Sequence, residues 1–351
     1  LTLSPVGFAP DGRPIFDRVD PLLPGCDAVF LGPRRGFSGV TDACLDPTND
    51  QDTLLTNVAG DDNGGAVTLS TQFYKQFGYQ FLDRPGTLDF NLGYAFTDGK
   101  DVNPMGSSTA GSNIEEVSLS VVNQPPLAPS RFVNRHNLTM SAIFRSDFWA
   151  DNTTTLGVVF RAVEGRPFSF TFGDDTTEDL FGDSDNEARQ LLYVPTGPND
   201  PLADFSNLTQ EQIGGFFSFL NEVGLNEFAG QIAPRNEFRD PWFTDLDLRF
   251  AQELPGFFEN DKFELTVDFD NFLNLIDSGA NVVERFDRGD TAEGVPLVAA
   301  ELSEDGSQFI FNDVGTGSPR DNIERVGGGG SLDRNVDASV WRIQVGVRYS
   351  F

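Results

Sequence analysis

The sequence predicts an all-β protein whose strands form part of a transmembrane antiparallel β-barrel. Three observations lead to this prediction: the chain is rich in Gly, Pro and Phe, apolar and polar residues alternate along seven stretches, and the links between those stretches are alternately short and very long. Alternation at every second residue gives a strand one apolar and one polar face. Such strands, joined by links of alternating length, are typical of barrels that span a bilayer.

The composition indicates strands joined by many turns. The 351 residues include 36 Gly, 34 Phe and 21 Pro; Gly and Pro are frequent between strands, and Phe favours a pleated surface. A net charge of −30 argues against a nucleic-acid partner, because binding phosphates requires clustered Lys and Arg. No apolar run of about 18 residues occurs, which excludes a membrane-spanning helix but not a barrel.

Seven stretches alternate clearly enough to be strands: 66–77, 87–101, 131–145, 153–168, 242–254, 262–271 and 340–351. In the clearest one, Leu88, Phe90 and Leu92 share a face opposite Asp89 and Asn91. The polar faces carry charges of both signs, and the pattern along 242–254 pairs Asp247 with Arg249. A soluble β-sandwich also alternates, since one face packs on a core and the other meets water, and it is the alternative fold.

The links between these stretches favour the barrel. Short links are expected around 78–86, 146–152 and 255–261, and long ones around 98–130, 171–241 and 272–338. Loops longer than about 15 residues are uncommon in compact soluble domains. Short turns on one side and long loops on the other are the organisation of outer-membrane barrels.

The chain also ends in an alternating stretch, "VWRIQVGVRYSF", although termini usually trail off in polar residues. This ending resembles the signal by which the assembly machinery recognises bacterial outer-membrane barrels. The resemblance assigns that role to the apolar and aromatic face of the stretch, formed by Ile343, Val345, Val347, Tyr349 and Phe351.

Other stretches resemble TonB-dependent receptors. "FELTVDFDNFLNLID" is similar to a late strand of that family, with its aromatic and Leu motif beginning at Asn271. Three more stretches resemble its Oar-like branch, as does the pair Arg135 and His136: "PDGRPIF" at 10–16, "LLYVPTGPNDP" at 191–201 and "GQIAPRNEFRDPWFTDLDLRF" at 230–250.

The resemblance implies the C-terminal portion of a large barrel of about 22 strands, closed by a plug, in the outer membrane of a Gram-negative bacterium. Residues 1–65 are then an extracellular loop and 66–351 about seven strands with long outside loops. An odd number of strands contrasts with the even number of bacterial single-chain barrels, so the earlier strands and the plug are expected outside this chain.

The function implied is a receptor and transporter, not an enzyme, that moves a scarce solute, peptide or protein across the outer membrane. Its implied partners are outer-membrane lipid, the N-terminal barrel and plug fragment of the same protein, TonB acting through the plug, and an extracellular lipoprotein. Two other functions stay open: a structural or adhesive barrel, and an open porin.

Several residues are candidates for specific roles. Lumen-facing residues expected to contact a plug are Asp89, Asn91, Asp245, Asp247 and Arg249. Asp183, Asp185 and Glu187 are weak candidates for a calcium site, with solvated loop charge as the alternative, and no other cofactor is predicted. Cys26 and Cys44 are predicted to form a disulfide, because neither lies in a metal-binding pattern.

Two further features lie near the predicted outer side. His136 is the only histidine; it is in phase with Leu138 and Met140, which places it at the outer membrane interface and argues against a catalytic role. Residues 208–225 predict a helix capped by Thr209 and Gln212 and ended by Gly224. Its apolar residues are expected to pack inward; a lid or a docking surface is the alternative.

Overall fold

The computed structural model describes residues 7–15, 24–26, 29–32, 36–38, 64–81, 83–109, 113, 117–121, 126–149, 152–173, 180, 189–258, 261–286, 288, 293–303, 305–315, 332–335 and 339–351. In chain order the strands are β1 (Gly7–Phe8), β2 (Pro14–Ile15), β3 (Val29–Gly32), β4 (Gly36–Ser38), β5 (Gly65–Phe81), β6 (Arg84–Asp101), β7 (Ala128–Pro129), β8 (His136–Trp149), β9 (Asn152–Val163), β10 (Pro167–Phe172), β11 (Tyr193–Val194), β12 (Ala203–Asp204), β13 (Gln231–Ile232), β14 (Phe238–Arg239), β15 (Phe243–Pro255), β16 (Lys262–Asp270), β17 (Val283–Phe286), β18 (Gly294–Leu302), β19 (Phe309–Val314), β20 (Leu332–Asn335) and β21 (Arg342–Ser350). The helices are α1 (Gln210–Glu222), α2 (Phe272–Ile276) and a short 3-10 helix (Leu225–Phe228).

The fold is all-β, and its largest part is an antiparallel sheet, the main sheet, in which the seven long strands follow one another in the order β5-β6-β8-β9-β15-β16-β21. These seven strands coincide with the seven alternating stretches, so that prediction is confirmed. β5 and β6 pair from Gly65 opposite Lys100 to Phe81 opposite Arg84. The short strand β7 extends the sheet beside the end of β6.

The links of the main sheet alternate in length as predicted. β5 and β6, β8 and β9, and β15 and β16 are joined by short links at one end of the sheet. Residues 102–135, 164–242 and 271–341 connect the strands at the other end. We refer to the two ends as the short-link end and the long-link end.

The long connections contain a folded unit, which we call the cap. It is built on a mixed five-stranded sheet in the order β12-β19-β18-β10-β14, with α1 packed against it and the hairpin β1-β2 beside it. Its core is rich in phenylalanine, and Phe170, Phe216, Phe309 and Phe311 have no solvent exposure. The sequence predicts these connections to be loops, and no pattern in it predicts this core.

The cap strands do not show alternating apolar and polar residues, because both of their faces are buried. All six residues of β10 are buried, as are the first six of β18. A strand covered on both faces is a short, nearly continuous apolar run, which periodicity alone does not distinguish from other buried segments.

Helix α1 confirms its predicted boundaries. The Thr209 hydroxyl accepts a hydrogen bond from the Gln212 backbone N–H, and the Gln212 side chain accepts one from the Thr209 backbone N–H. The last helical residue is Glu222, and Gly224 adopts a φ of 79° that favours glycine. Phe216 and Leu220 lie in the cap core, so the packing interpretation of this helix is confirmed.

No helix within the described residues is long and apolar enough to cross a membrane.

Candidate functional site

The apolar side chains of the main sheet lie in register across all seven strands. Each pair of neighbours in one such row is directly opposite in the sheet. The row runs Phe77, Leu88, Phe144, Leu156, Phe250, Val267 and Val345. A one-residue slip in any strand would move its apolar residues to the other face, so the register is what makes this face continuous.

This apolar face is open to the surroundings of the described chain. Leu69 is 69% exposed, Leu156 45% and Val347 71%, whereas the cap core excludes solvent completely at Phe216. Apolar surface of this extent is unusual on a soluble monomer and marks contact with a partner or a membrane. The chain therefore has two apolar surfaces, one buried within the cap and one uncovered on the main sheet.

Aromatic side chains cluster on this face at the long-link end. The Tyr94 hydroxyl lies 2.7 Å from Nδ1 of His136. The imidazole also stacks on Trp242, with ring centroids 6.0 Å apart, and lies 5.3 Å from the Phe96 ring. His136 thus shares the apolar face with Leu138 and Met140, and its contacts are aromatic.

A second aromatic cluster lies at the short-link end. Phe263 and Tyr349 are directly opposite on β16 and β21, with ring centroids 4.7 Å apart, and Phe257 packs edge-on against Phe263. The Tyr349 hydroxyl donates to the Asp261 carboxylate. Phe351 extends the cluster and is 99% exposed.

The residues assigned to the assembly signal lie together on this face. Ile343, Val345, Val347 and Tyr349 alternate along β21, at the edge of the main sheet, and Phe351 follows directly after the strand. No described strand pairs with the outer edge of β21 or of β5.

The opposite face of the main sheet is polar and hydrogen-bonded. The Asp89 carboxylate accepts hydrogen bonds from Gln76, at 2.7 Å, and from Tyr74, and it forms an ion pair with Arg145 at 2.5 Å. The Asn91 side chain accepts a hydrogen bond from Gln72 at 2.9 Å.

All five predicted lumen residues lie on this polar face, but in two groups. Asp89 and Asn91 are on β6, and Asp245, Asp247 and Arg249 are on β15. β8 and β9 separate the groups, so three strand spacings, about 14 Å, lie between them.

The expected pairing of Asp247 with Arg249 is wrong. The Arg249 guanidinium lies 3.2 Å from the carboxylate of Asp268, which is directly opposite on β16. Opposite residues on neighbouring strands are closer than residues two apart on one strand, so the cross-strand partner prevails. The Asp247 carboxylate instead accepts a hydrogen bond from the Asn271 backbone N–H at 2.9 Å.

A buried ion pair joins the cap to the main sheet. Nε and Nη2 of Arg235 donate to the two carboxylate oxygens of Glu293, at 3.0 and 2.9 Å, and both side chains have no solvent exposure. Nη1 of Arg235 donates to the backbone carbonyls of Asp101, Val102 and Pro126. The guanidinium therefore ties the cap to the end of β6 and to the connection that follows it.

Neither residue of this pair was predicted from the sequence to have a functional role. Arg235 lies within the stretch 230–250 that carries part of the resemblance, and that was the available signal. Glu293 had none, because it lies within a long connection and is 58 residues from Arg235 in the chain.

The stretches 10–16, 191–201 and 230–250 each contribute contacts within the cap or at its junction with the main sheet. Arg13, from 10–16, donates to the Leu191 carbonyl, from 191–201, at 2.7 Å. Arg235 comes from 230–250, and its link to the main sheet is described above. These stretches are distant in sequence but all contribute buried residues of the cap or its junction.

Asp200 organises the turn that follows β11. Its carboxylate accepts hydrogen bonds from the Thr196 and Leu202 backbone N–H groups and from the Tyr193 hydroxyl. Burial acts to raise the pKa of Asp200, but these hydrogen bonds stabilise the carboxylate and lower the pKa below its usual value. Burial, followed by the nearby Asp200 charge, raises the pKa of Tyr193.

A cavity of about 590 Å³ lies where the cap meets the long-link end of the main sheet. Residues from β6, from the connection before β8 and from the segment 232–237 line it. Its charged lining consists of Asp98, Lys100, Arg135, Arg235 and Glu237.

The remaining predicted sites fall mostly on residues that are not described. Asp183, Asp185 and Glu187 lie outside the described residues, so the calcium site stays a prediction. Across the part of the chain that is described, no group of three or more metal-ligating side chains was found. Cys26 is disulfide-bonded, while Cys44 lies outside the described residues, and their pairing stays a prediction.

Comparison with known proteins yields no match: no protein-family model, curated protein or solved structure is significantly similar to this chain.

Proposed function

We propose that this chain forms part of a transmembrane β-barrel in a bacterial outer membrane, and that the barrel belongs to a TonB-dependent receptor that moves a substrate across that membrane. The observation that carries the membrane part is the continuous, uncovered apolar face of the main sheet. In the proposal this face contacts acyl chains, and the polar face lines the lumen.

The dimensions of the apolar face support this arrangement. On β6, Phe96 in the aromatic cluster at the long-link end is ten residues along the strand from Gly86, over which the Tyr79 ring lies near the short-link end. At about 3.4 Å per residue and a strand tilt of about 40°, that span is about 26 Å along the membrane normal. Barrels have an apolar band of about 25 Å flanked by aromatic girdles, and both aromatic clusters lie where such girdles are expected.

The unpaired edges of the main sheet support the presence of further strands in the complete barrel. An exposed edge presents free N–H and C=O groups, which soluble proteins cover or shorten and which closed barrels eliminate. β5 and β21 are both long edge strands without a partner among the described residues. In the proposal, additional strands pair with both edges and close the barrel.

The distribution of charge supports the same orientation. The apolar face is lipid-facing in the proposal, so the charged groups of the strands belong to the lumen, where Asp89 and Asp268 have Arg partners. The cap extends from the long-link end, which is the extracellular side of a barrel. In the proposal the cap, with its buried core, therefore lies at the extracellular rim of the barrel.

The receptor part rests on the resemblance of 263–277 to TonB-dependent receptors and of 10–16, 191–201 and 230–250 to their Oar-like branch. A plug bound against the polar face would give the Asp89 and Asp247 groups their role. Import or export of a solute or peptide through such a plugged barrel is the activity proposed, with no chemical change to the substrate.

Flotation tests the membrane part. The chain is folded by dilution from urea into buffer alone or into buffer with lipid vesicles, and both samples are centrifuged through a density gradient. We expect the folded chain to float with vesicles and to aggregate without lipid or detergent. A chain that stays folded and monomeric in plain buffer would refute the proposal.

Conductance tests the receptor part on the complete barrel, purified from membranes together with the partner strands. We expect little current across a planar bilayer, and a large increase after mild urea treatment releases a plug. A constitutively high current would favour the open porin instead.

A further inference from the structure

The cavity at the cap junction lies directly above the apolar face of the main sheet. Along β6, Tyr94, Phe96, Asp98 and Lys100 are spaced two residues apart and therefore project from the same side of the strand. Tyr94 and Phe96 belong to the aromatic cluster at the long-link end, and Asp98 and Lys100 line the cavity. The side of β6 that is apolar at Tyr94 and Phe96 thus becomes charged at Asp98 and Lys100, where it meets the cavity.

The charges of the cavity are of both signs and are weakly engaged. Arg135 and Asp98 are 3.9 Å apart and partly exposed, which is a long contact for an ion pair. Among the described residues, no ion pair involves Lys100 or Glu237, and both side chains are exposed. Arg235 also lines the cavity, but its guanidinium is committed to Glu293.

A cavity with two available cations and two available anions suits a ligand that also carries both charges. A purely anionic ligand would leave Asp98 and Glu237 unfavourably close to it, and a purely cationic one would do the same with Lys100 and Arg135. The volume, about 590 Å³, is in the range of sites that hold small molecules and headgroups.

We propose that this cavity binds the headgroup of an amphiphile that carries a phosphate and a primary amine, with its acyl chains lying along the apolar face beside Phe96 and His136. Lys100 and Arg135 bind the phosphate, and Asp98 and Glu237 bind the amine. This inference rests on the proposed membrane function, because it is the bilayer that brings acyl chains to this face.

Lipid titration of the complete barrel in detergent, followed by native mass spectrometry, tests the inference. The probes are short-chain phosphatidylethanolamine, which carries both charges, phosphatidylglycerol, which lacks the amine, and glycerophosphoethanolamine, which lacks the acyl chains. We expect phosphatidylethanolamine to bind about tenfold more tightly than phosphatidylglycerol, as the loss of one charged hydrogen bond would produce. We also expect it to bind more tightly than glycerophosphoethanolamine, which keeps both charges but lacks the acyl chains that contact the apolar face.

Two substitutions separate the roles. Lys100→Gln should weaken the binding of both lipids about tenfold, because it removes a side chain that binds the phosphate. Glu237→Gln should weaken only phosphatidylethanolamine, because only that lipid has an amine. Both side chains are exposed, so neither change should unfold the protein. Lys262→Gln, at the short-link end, is the control and should leave binding unchanged.

Each alternative result has a distinct meaning. If the native protein and the Glu237→Gln variant each bound the two lipids equally tightly, the cavity proposal would be overturned and the membrane proposal would stand. Glycerophosphoethanolamine binding as tightly as the lipid would also overturn it, by showing that the site takes a free headgroup. Failure of the barrel to enter vesicles would overturn both proposals.

Discussion

The guanidinium of Arg235 and the carboxylate of Glu293 form an ion pair through two hydrogen bonds of 3.0 and 2.9 Å, at a site without solvent exposure. A buried pair contributes to stability only as long as both partners are present, because a single buried charge keeps its desolvation penalty without its attraction. This pair also binds backbone carbonyls at the end of β6, so it couples the cap to the main sheet.

Glu293→Gln should therefore destabilise the cap, but by less than the about 3–5 kcal/mol expected for a buried charge left with no partner, since Arg235 keeps its ion pair with the Asp101 carboxylate at 3.2 Å. The measurement is the free energy of unfolding from urea titration, followed by limited proteolysis of the cap. Lys262→Gln is the control, because it breaks an exposed ion pair with Glu253, which contributes little to stability. Equal losses in the two variants would contradict a coupling role for the buried pair.

Two adjacent valines on β9 test the lipid-facing assignment. Val158 lies on the apolar face between Ala142 and Leu248, and Val159 lies on the polar face between Ser141 and Asp247. Val158→Arg should destabilise the vesicle-inserted barrel by about 2–4 kcal/mol, the cost of Arg facing lipid near the bilayer midplane. Val159→Arg should cost far less, because in the membrane proposal position 159 faces the lumen, opposite the Asp247 carboxylate.

The measurement is urea unfolding in vesicles, read from tryptophan fluorescence. The two variants carry the same residue change one position apart, so each is the matched control of the other. Similar losses would mean that the two faces meet similar surroundings, which would contradict the membrane proposal.

Asp200 gives the cap a predictable response to acid. Its hydrogen bonds lower its pKa in the folded state below the unfolded value of about 3.8. A carboxylate with a lowered pKa adds stability above the unfolded value and loses that contribution as the pH falls through the folded value. Asp200→Asn should cost about 1.5–3 kcal/mol at pH 7, and the difference from the native protein should shrink below pH 3.8.

The measurement is the urea midpoint of the cap as a function of pH. Asp204→Asn is the control, because the Asp204 carboxylate accepts one hydrogen bond, from the Ser206 backbone N–H, in a partly exposed turn. A difference between native protein and Asp200→Asn that persists unchanged below pH 3 would contradict a contribution from the ionised carboxylate.

Phe351 separates assembly from stability. Its side chain is 99% exposed and follows the last strand, so Phe351→Ala should change the unfolding free energy of the assembled barrel by less than about 0.5 kcal/mol. If the terminal stretch is recognised by the assembly machinery, the same substitution should lower the amount of protein in the outer membrane several-fold. Cell fractionation with quantitative immunoblotting measures this amount.

Ser350→Ala provides the matched comparison, because Ser350 is the neighbouring residue on the opposite face of β21. It should leave membrane levels unchanged. Normal levels of Phe351→Ala would remove the support for the assembly-signal interpretation.

The sequence determined the main sheet because its strands carry their information locally. The alternation within a stretch such as 87–101 predicts which residues lie on each face of that strand. The lengths of the links predict the order in which neighbouring strands pair. Asp89 and Arg249 were accordingly placed on the polar face, and the helix that begins after Thr209 was predicted from its capping box.

Only the tertiary structure decided the cap, its junction with the sheet and the partners of the polar groups. β10 and β18 are buried on both faces and belong to a sheet whose parallel pairing comes from distant segments, so no local pattern reports it. Arg235 meets Glu293, and Arg249 meets Asp268 instead of Asp247, because such contacts depend on how separate strands align. Periodicity is a property of one strand, whereas a core, a cavity or an ion pair between strands is a property of their arrangement in space.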